Sequence, residues 1–187
     1  TLETAMVKLM ASLPRAKALI TTLGSRGAVM LQRVDDWSNE VEDGEGGGQK
    51  RVVSLSETLT RLEKEATSAA EEKDGEVEIV PIPLAPATTS SGEAVYLTDA
   101  GDDAAAAVGP IHVTFAPAAA MSKDDVADTT GAGDSFIGSV CYGIATKMEL
   151  SAAMRLGAYV AGRKCTKLGA RPGLPMRDTI PTELFDA

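Results

Sequence analysis

The chain has 187 residues, enough for one domain with its own core, or for one domain carrying a large excursion. Apolar residues make up 44% and aromatics only 4%, so the expected core is small and aliphatic, letting helices and sheet approach closely. A net charge of −9, one histidine and two cysteines exclude generic nucleic-acid binding, a disulfide framework and a zinc shell, and no apolar run is long enough to span a membrane.

The acidic excess is local. Residues 35–78 hold 14 acidic and 5 basic residues; from totals of 27 and 18 this leaves 13 of each elsewhere. The one basic cluster, from Arg155 to Arg177, reads as a solvated helix face with cations at helix ends. The start, TLETAMVKLM, has no basic segment followed by an apolar block and is no signal peptide. It also lacks an initiator Met, so an N-terminal portion is expected ahead of Thr1. The default compartment is the cytoplasm, with organelle targeting ahead of Thr1 left open.

Residues 2–13 place Leu2, Met6, Leu9, Met10 and Leu13 at helical spacing, and Pro14 ends that helix. ALITT (18–22) and AVML (28–31) read as strands, joined by the glycine turn Thr22-Leu23-Gly24-Ser25-Arg26-Gly27. The character changes over residues 35–92. GEGGGQK (44–50) is linker-like, and residues 54–73 suit a polar, exposed helix with Leu55, Leu59 and Leu62 at i, i+4 and i+7. PIPLAPATTSSG (81–92) is irregular. This stretch reads as an acidic, low-complexity, loosely packed insertion, with a partner-binding arm as the alternative.

AVYLT (94–98) and IHVTF (111–115) are further expected strands. Two helices follow. Residues 134–148 carry Phe136, Ile137, Val140, Ile144 and Met148 on one broad apolar stripe. Residues 150–168 carry Leu150, Ala153, Met154, Leu156, Gly157, Val160 and Ala161. Cys141 and Cys165 fall in these helices and are expected to be buried free thiols. The closing GARPGLPMRDTIP is a loop ordered by packing.

The chemistry concentrates in Asp128-Thr129-Thr130-Gly131-Ala132-Gly133-Asp134. The small residues Gly131, Ala132 and Gly133 leave nothing in front of the backbone N–H groups that open the next helix. Those donors and the positive end of the helix dipole suit a phosphate. A carboxylate beside an anion site then needs a reason. Asp134 either caps the helix or accepts the proton of a hydroxyl that attacks a phosphoryl group. Competing motifs are absent. No GxxxxGK[ST] occurs, GAGD lacks the third glycine of a dinucleotide fingerprint, and His112, the sole histidine, lies in a strand pattern as a structural or surface residue.

The longer string DTTGAGDSF resembles the C-terminal signature of the PfkB family, the ribokinase-like carbohydrate kinases. The resemblance implies an α/β fold, a mainly parallel sheet flanked by helices, of which this chain is the C-terminal part. It implies a kinase domain over 1–34 and 93–187, interrupted by the insertion at 35–92. It also implies transfer of the ATP γ-phosphoryl to a hydroxyl of a sugar or nucleoside-like molecule. By that resemblance Asp134 is the catalytic base, and Gly131, Ala132 and Gly133 form the anion hole. TLGSRG (22–27) is similar to the family's nucleotide turn, which assigns Thr22, Gly24 and Gly27 to bound ATP. KCTKLGARPGLPMRD (164–178) resembles the loop that holds a monovalent cation. This implies K⁺ on Asp128, Thr130 and the carbonyls of Lys164, Lys167 and Gly169, with Mg²⁺ on the phosphates. One departure is Gly173, which stands where the family has a side-chain hydroxyl. The family's acceptor-binding half and dimer-forming lid have no counterpart here, so a homodimer through that portion is implied and no acceptor residue can be named. A non-catalytic relative serving as a subunit or scaffold is the alternative.

Overall fold

The structure, a computed structural model, describes residues 1–34, 51–68, 80–89, 95–97, 104 and 107–185. The chain divides into two compact units. One comprises Thr1–Thr21, Val29–Lys64 and Ala87–Phe115, and the other Thr22–Ala28, Glu65–Pro86 and Ala116–Ala187.

The first unit opens with α1, Leu2–Ser12. Thr1 starts it, its hydroxyl oxygen accepting the Thr4 N–H at 3.2 Å, and Glu3 sits at the positive end of the dipole. Met6, Val7 and Met10 are buried, whereas Leu2, Leu9 and Leu13 of the expected stripe are exposed. The Arg33 guanidinium donates to the carbonyls of Met10 at 2.8 Å, Ala16 at 3.1 Å and Ala107 at 3.3 Å, and also to Val108. One side chain thereby satisfies the end of α1 and two loops.

The strands are β1 (Ala18–Thr22), β2 (Gly27–Arg33), β3 (Arg51–Val53), β4 (Ala87–Thr88), β5 (Val95–Leu97) and β6 (Ile111–Pro117). Their order is β1-β2-β6-β5-β3, with β4 also paired to β6. β3 and β5 run parallel, while β4–β6 and β5–β6 are antiparallel. The α/β class is as expected. One parallel and two antiparallel registers do not establish a mainly parallel sheet, because short antiparallel pairings accompany the one parallel pair. β6 is buried along its length except at half-buried His112, whose Nδ1 lacks a partner among the described residues.

The helix expected near residues 54–73 is α2, Leu55–Ser68. Leu55, Leu59 and Leu62 are buried at the expected spacing, and Ala66 joins them. This part of the acidic stretch therefore carries a buried apolar face. Within 81–92, residues 87 and 88 form β4, held where the Thr89 hydroxyl accepts the Val113 N–H at 3.1 Å. The readings made for 35–50, 69–79, 90–94 and 98–103 lie outside the described residues.

The second unit is built on α3, Ala132–Thr146, and α4, Leu150–Cys165. They cross closely. A Cβ at Gly143 would stand 2.4 Å from the Ala153 Cβ, and one at Gly157 would stand 2.8 Å from the Phe136 ring. Glu149 caps α4, its Oε2 accepting the N–H of Ser151 at 2.8 Å and of Ala152 at 3.1 Å. Leu156, Tyr159 and Val160 pack with Val80 and Leu184. On α3 the buried side is Phe136, Ser139, Val140 and Gly143. Ile137 and Ile144 are each 58% exposed, and Cys141, one turn from each, is exposed as well. The expectation of two buried thiols thus holds for Cys165 and fails for Cys141. Among the described residues no helix is long and apolar enough to cross a membrane.

Candidate active site

The start of α3 is fixed from the C-terminal end of α4. The Cys165 carbonyl accepts the N–H of Ala127 at 2.8 Å and of Asp128 at 3.2 Å. The Asp128 carboxylate then folds the next turn. Its Oδ1 accepts the Thr130 N–H at 2.8 Å and its Oδ2 accepts the Gly169 N–H at 2.7 Å. Hydrogen bonding from the Thr130 side chain and backbone and from the Gly169 N–H lowers the Asp128 carboxyl to about 2, against an opposing effect of burial, with the Lys164 ammonium adding a lesser lowering.

Gly131 follows with φ 82° and ψ 3°, the left-handed conformation that favours glycine. Its carbonyl accepts both the N–H of Ser135 at 2.9 Å and the Ser135 hydroxyl at 2.7 Å. α3 begins at Ala132, two residues earlier than the spacing suggested, which puts Asp134 inside the first turn rather than at the cap. The Ala132 N–H donates to the Thr129 carbonyl at 3.1 Å. The N–H groups of Gly133 and Asp134 have no partner among the described residues and lie at an exposed helix end. A Cβ at Gly133 would meet nothing within 4 Å. The Asp134 carboxylate makes no capping bond and no ion pair among the described residues.

This turn opens onto a cleft of about 530 Å³. Gly131, Asp134, Ser135 and Gly138 line it, together with Arg171 and Arg177 of the C-terminal loop. Arg177 lies over the Phe185 ring, 5.4 Å from its centroid, and Phe185 meets Tyr142 edge to face at 6.1 Å. The two arginines were missed in the sequence, where the basic cluster read as a solvated face. The signal available was their position within a Gly/Pro loop rather than on a helix.

Of the residues assigned to catalysis, Gly131, Ala132, Gly133 and Asp134 share this one turn, although the Ala132 N–H is already used. Thr22, Gly24 and Gly27 sit on the hairpin turn and do not line the cleft. Thr22 and Gly24 are exposed, and a Cβ at Gly24 would meet open space. Gly27 has φ 126°, and a Cβ there would stand 2.1 Å from the Ala116 carbonyl oxygen. Close backbone approach alone therefore demands glycine at 27.

Asp128, Thr130, Lys164 and Gly169 do come together, but what meets the carboxylate is a set of donors, the backbone N–H groups of Thr130 and Gly169 and the Thr130 hydroxyl, rather than a ring of acceptor oxygens. The Lys164 ammonium is wholly buried, donates to the Asp128 carbonyl at 2.6 Å and lies 3.9 Å from Oδ2. Lys167 is exposed, and its N–H reaches the Lys164 carbonyl at 3.4 Å. Among the described residues no group of three or more His, Cys, Asp or Glu could hold a metal ion.

A helix start with open N–H groups, a carboxylate in its first turn and two arginines lining the same cleft is an arrangement that suits phosphate chemistry. The sequence pattern of the pfkB family carbohydrate kinases matches residues 47–177, and the chain belongs to that family. The match opens within the stretch read from composition as an insertion, and it covers α2, α3 and α4. The chain is similar to a ribokinase of Lactococcus lactis subsp. lactis, 34% identical over 62 residues, which are 33% of this chain and 21% of that protein. It is also similar to an uncharacterized sugar kinase of Archaeoglobus fulgidus, 46% identical over 50 residues, 27% of this chain and 20% of that protein. The matched portion spans about a fifth of the length of these curated relatives. No solved structure gives a significant match.

Proposed function

We propose that the turn at Gly131 to Asp134 is the phosphoryl-transfer centre of an ATP-dependent kinase acting on a hydroxyl of a sugar or nucleoside-like small molecule. The observation that carries this reading is the Asp134 carboxylate. It lines the cleft beside the open N–H groups of Gly133 and Asp134 and has no capping or pairing role among the described residues.

The chemistry balances with the groups present. The acceptor hydroxyl oxygen bonds to the γ-phosphorus as the bond from that phosphorus to ADP breaks, leaving the electron pair on the ADP oxygen. The hydroxyl proton passes to Asp134. The N–H groups of Gly133 and Asp134 hold the charge on the transferred group, aided by the positive end of α3. Arg171 and Arg177, lining the same cleft, add positive charge. Thr22 and Gly24, on an exposed turn with open space before it, seat the nucleotide. Mg²⁺ supplies charge neutralisation on the phosphates. With no carboxylate cage among the described residues it fits here as an ion carried by the nucleotide.

The test is turnover of the full-length protein with Mg·ATP against a panel of sugars and nucleosides, wild type beside Asp134→Asn. Loss of the base lowers turnover roughly 10²- to 10⁴-fold, about 2.7–5.4 kcal/mol of barrier, with nucleotide affinity little changed. Wild-type turnover in Asp134→Asn sinks the assignment. Analogue binding without phosphorylation of any acceptor favours the non-catalytic relative.

A further inference from the structure

Among the described residues Lys164 is the one charged side chain that is buried, with none of its surface exposed. Removing an ammonium from water costs several kcal/mol, so the site must compensate it. Three features do. The Asp128 carbonyl accepts from it at 2.6 Å, the Asp128 carboxylate lies at 3.9 Å, and Lys164 sits in the last turn of α4, at the negative end of the dipole.

The oxygen cage that the family resemblance implies for a monovalent cation does not form around these residues. Both Asp128 carboxylate oxygens are taken by backbone N–H groups, those of Thr130 and Gly169. Gly169 turns its N–H, not its carbonyl, toward the carboxylate. The Lys164 carbonyl is closed in by Gly173, where an added Cβ would stand 2.2 Å from it. A side-chain hydroxyl at 173 has no room, and the positive charge is already supplied.

The buried ammonium reaches the phosphate turn by short steps. Asp128 holds Thr130, the residue that leads into Gly131. It also holds Gly169, whose neighbour Ala170 packs on Gly131, with a Cβ there standing 3.1 Å from the Ala170 Cβ. One anchored carboxylate therefore fixes the turn and the loop that walls it.

We propose that Lys164 is a built-in cation, a positioning residue whose ammonium orders the Asp128-centred turn and loop so that this chain assembles its anion site without K⁺. The proposal rests on the reading of the α3 start as a phosphate site.

Two readouts keep the proposal and that reading apart. The first is amide hydrogen exchange at Thr130 and Gly169, which needs no ligand. The second is calorimetric titration of the full chain with the magnesium complex of a non-hydrolysable ATP analogue. Both are run in tetramethylammonium buffer and in the same buffer with K⁺, for wild type and Lys164→Met. Wild-type protection and affinity are expected to agree within twofold in the two buffers. Lys164→Met is expected to lose protection at both amides and at least tenfold in affinity, with K⁺ or methylammonium restoring part of each. A merely structural lysine gives no such rescue. Wild-type protection that rises tenfold with K⁺ overturns the proposal, as does an unchanged Lys164→Met. If Lys164→Met does not fold, the wild-type comparison decides alone. K⁺-independent protection without analogue binding supports the built-in cation and refutes the phosphate-site reading.

Discussion

Gly131 and Gly133 lie two residues apart and should respond to substitution in opposite ways. Gly131 has φ 82°, and a Cβ there would stand 3.1 Å from the Ala170 Cβ and 3.3 Å from the Ala170 backbone. Holding alanine in the left-handed region costs roughly 1–2 kcal/mol, to which the crowding adds. Against a typical stability of about 5–15 kcal/mol, Gly131→Ala should shift a urea midpoint visibly. Gly133 is helical, and an added Cβ meets nothing within 4 Å. Replacing a helical glycine recovers up to about 1 kcal/mol of backbone entropy, so Gly133→Ala should leave the fold equal or slightly firmer. Binding reverses the order of interest. On the proposed reading a phosphate stands before the Gly133 and Asp134 N–H groups, and valine at 133 is expected to crowd that space. Each charge-assisted hydrogen bond lost costs about 1.5–3 kcal/mol, so Gly133→Val should weaken an ATP analogue by roughly tenfold to a hundredfold per donor blocked. Urea denaturation and calorimetric titration on the same preparations separate the two effects. Unchanged analogue affinity in a folded Gly133→Val refutes the anion hole, and a neutral Gly131→Ala refutes the argument from backbone strain.

Two further outcomes follow from the same geometry. The Asp128 carboxyl is lowered to about 2 in the folded chain, from an ordinary value of 3.8. A depressed carboxyl contributes stability that is fully present above about 4 and is lost as pH falls through about 2. Protection of the Gly169 amide should therefore decline across that window, and Asp128→Asn should remove the dependence; a flat profile in wild type contradicts the hydrogen-bonding pattern. Cys141 is exposed, whereas Cys165 is buried and burial pushes its thiol up. A thiol reagent should modify one cysteine in the native protein and the second only on unfolding, read by intact mass; equal rates for the two contradict the placement of α3.

The fold was legible where local signals agree with burial. The strand–turn–strand at 18–31, the helix over Leu55, Leu59 and Leu62, and the two helices after the glycine turn all lie where periodicity placed them. The errors share a cause, because hydrophobic character marks a face without saying which side a neighbour will cover. On α3 the close approach of α4 at Gly143 and Phe136 selects one edge of a broad stripe and leaves Ile137, Cys141 and Ile144 outside. On α1 the same holds for Leu2, Leu9 and Leu13. Charge misled in the other direction. An acidic helix was read as loosely packed, although its three leucines suffice for a buried seam. The basic cluster was read as one solvated face, although Lys164 within it is wholly buried.

Asp128 and Asp134 show what sequence alone leaves open at the site. They stand six residues apart in one motif, and the residues alone leave Asp134 open between helix cap and base. The structure separates them by what their oxygens are already doing. Each Asp128 oxygen accepts a backbone N–H, and a buried ammonium backs the pair, so that carboxylate is held charged far below neutral pH and makes a weak proton acceptor. It serves as a fastener. Asp134 accepts no hydrogen bond among the described residues and faces the cleft. A general base needs an oxygen open to the proton it takes; the Asp128 oxygens are each engaged in the turn, whereas the Asp134 carboxylate faces the cleft, which favours Asp134 for the proposed role. The two roles depend on each other. On the proposed reading the open carboxylate stands next to an anion site, where repulsion would push it or the phosphate away unless the turn were rigid. That rigidity comes from Asp128, held in turn by Lys164.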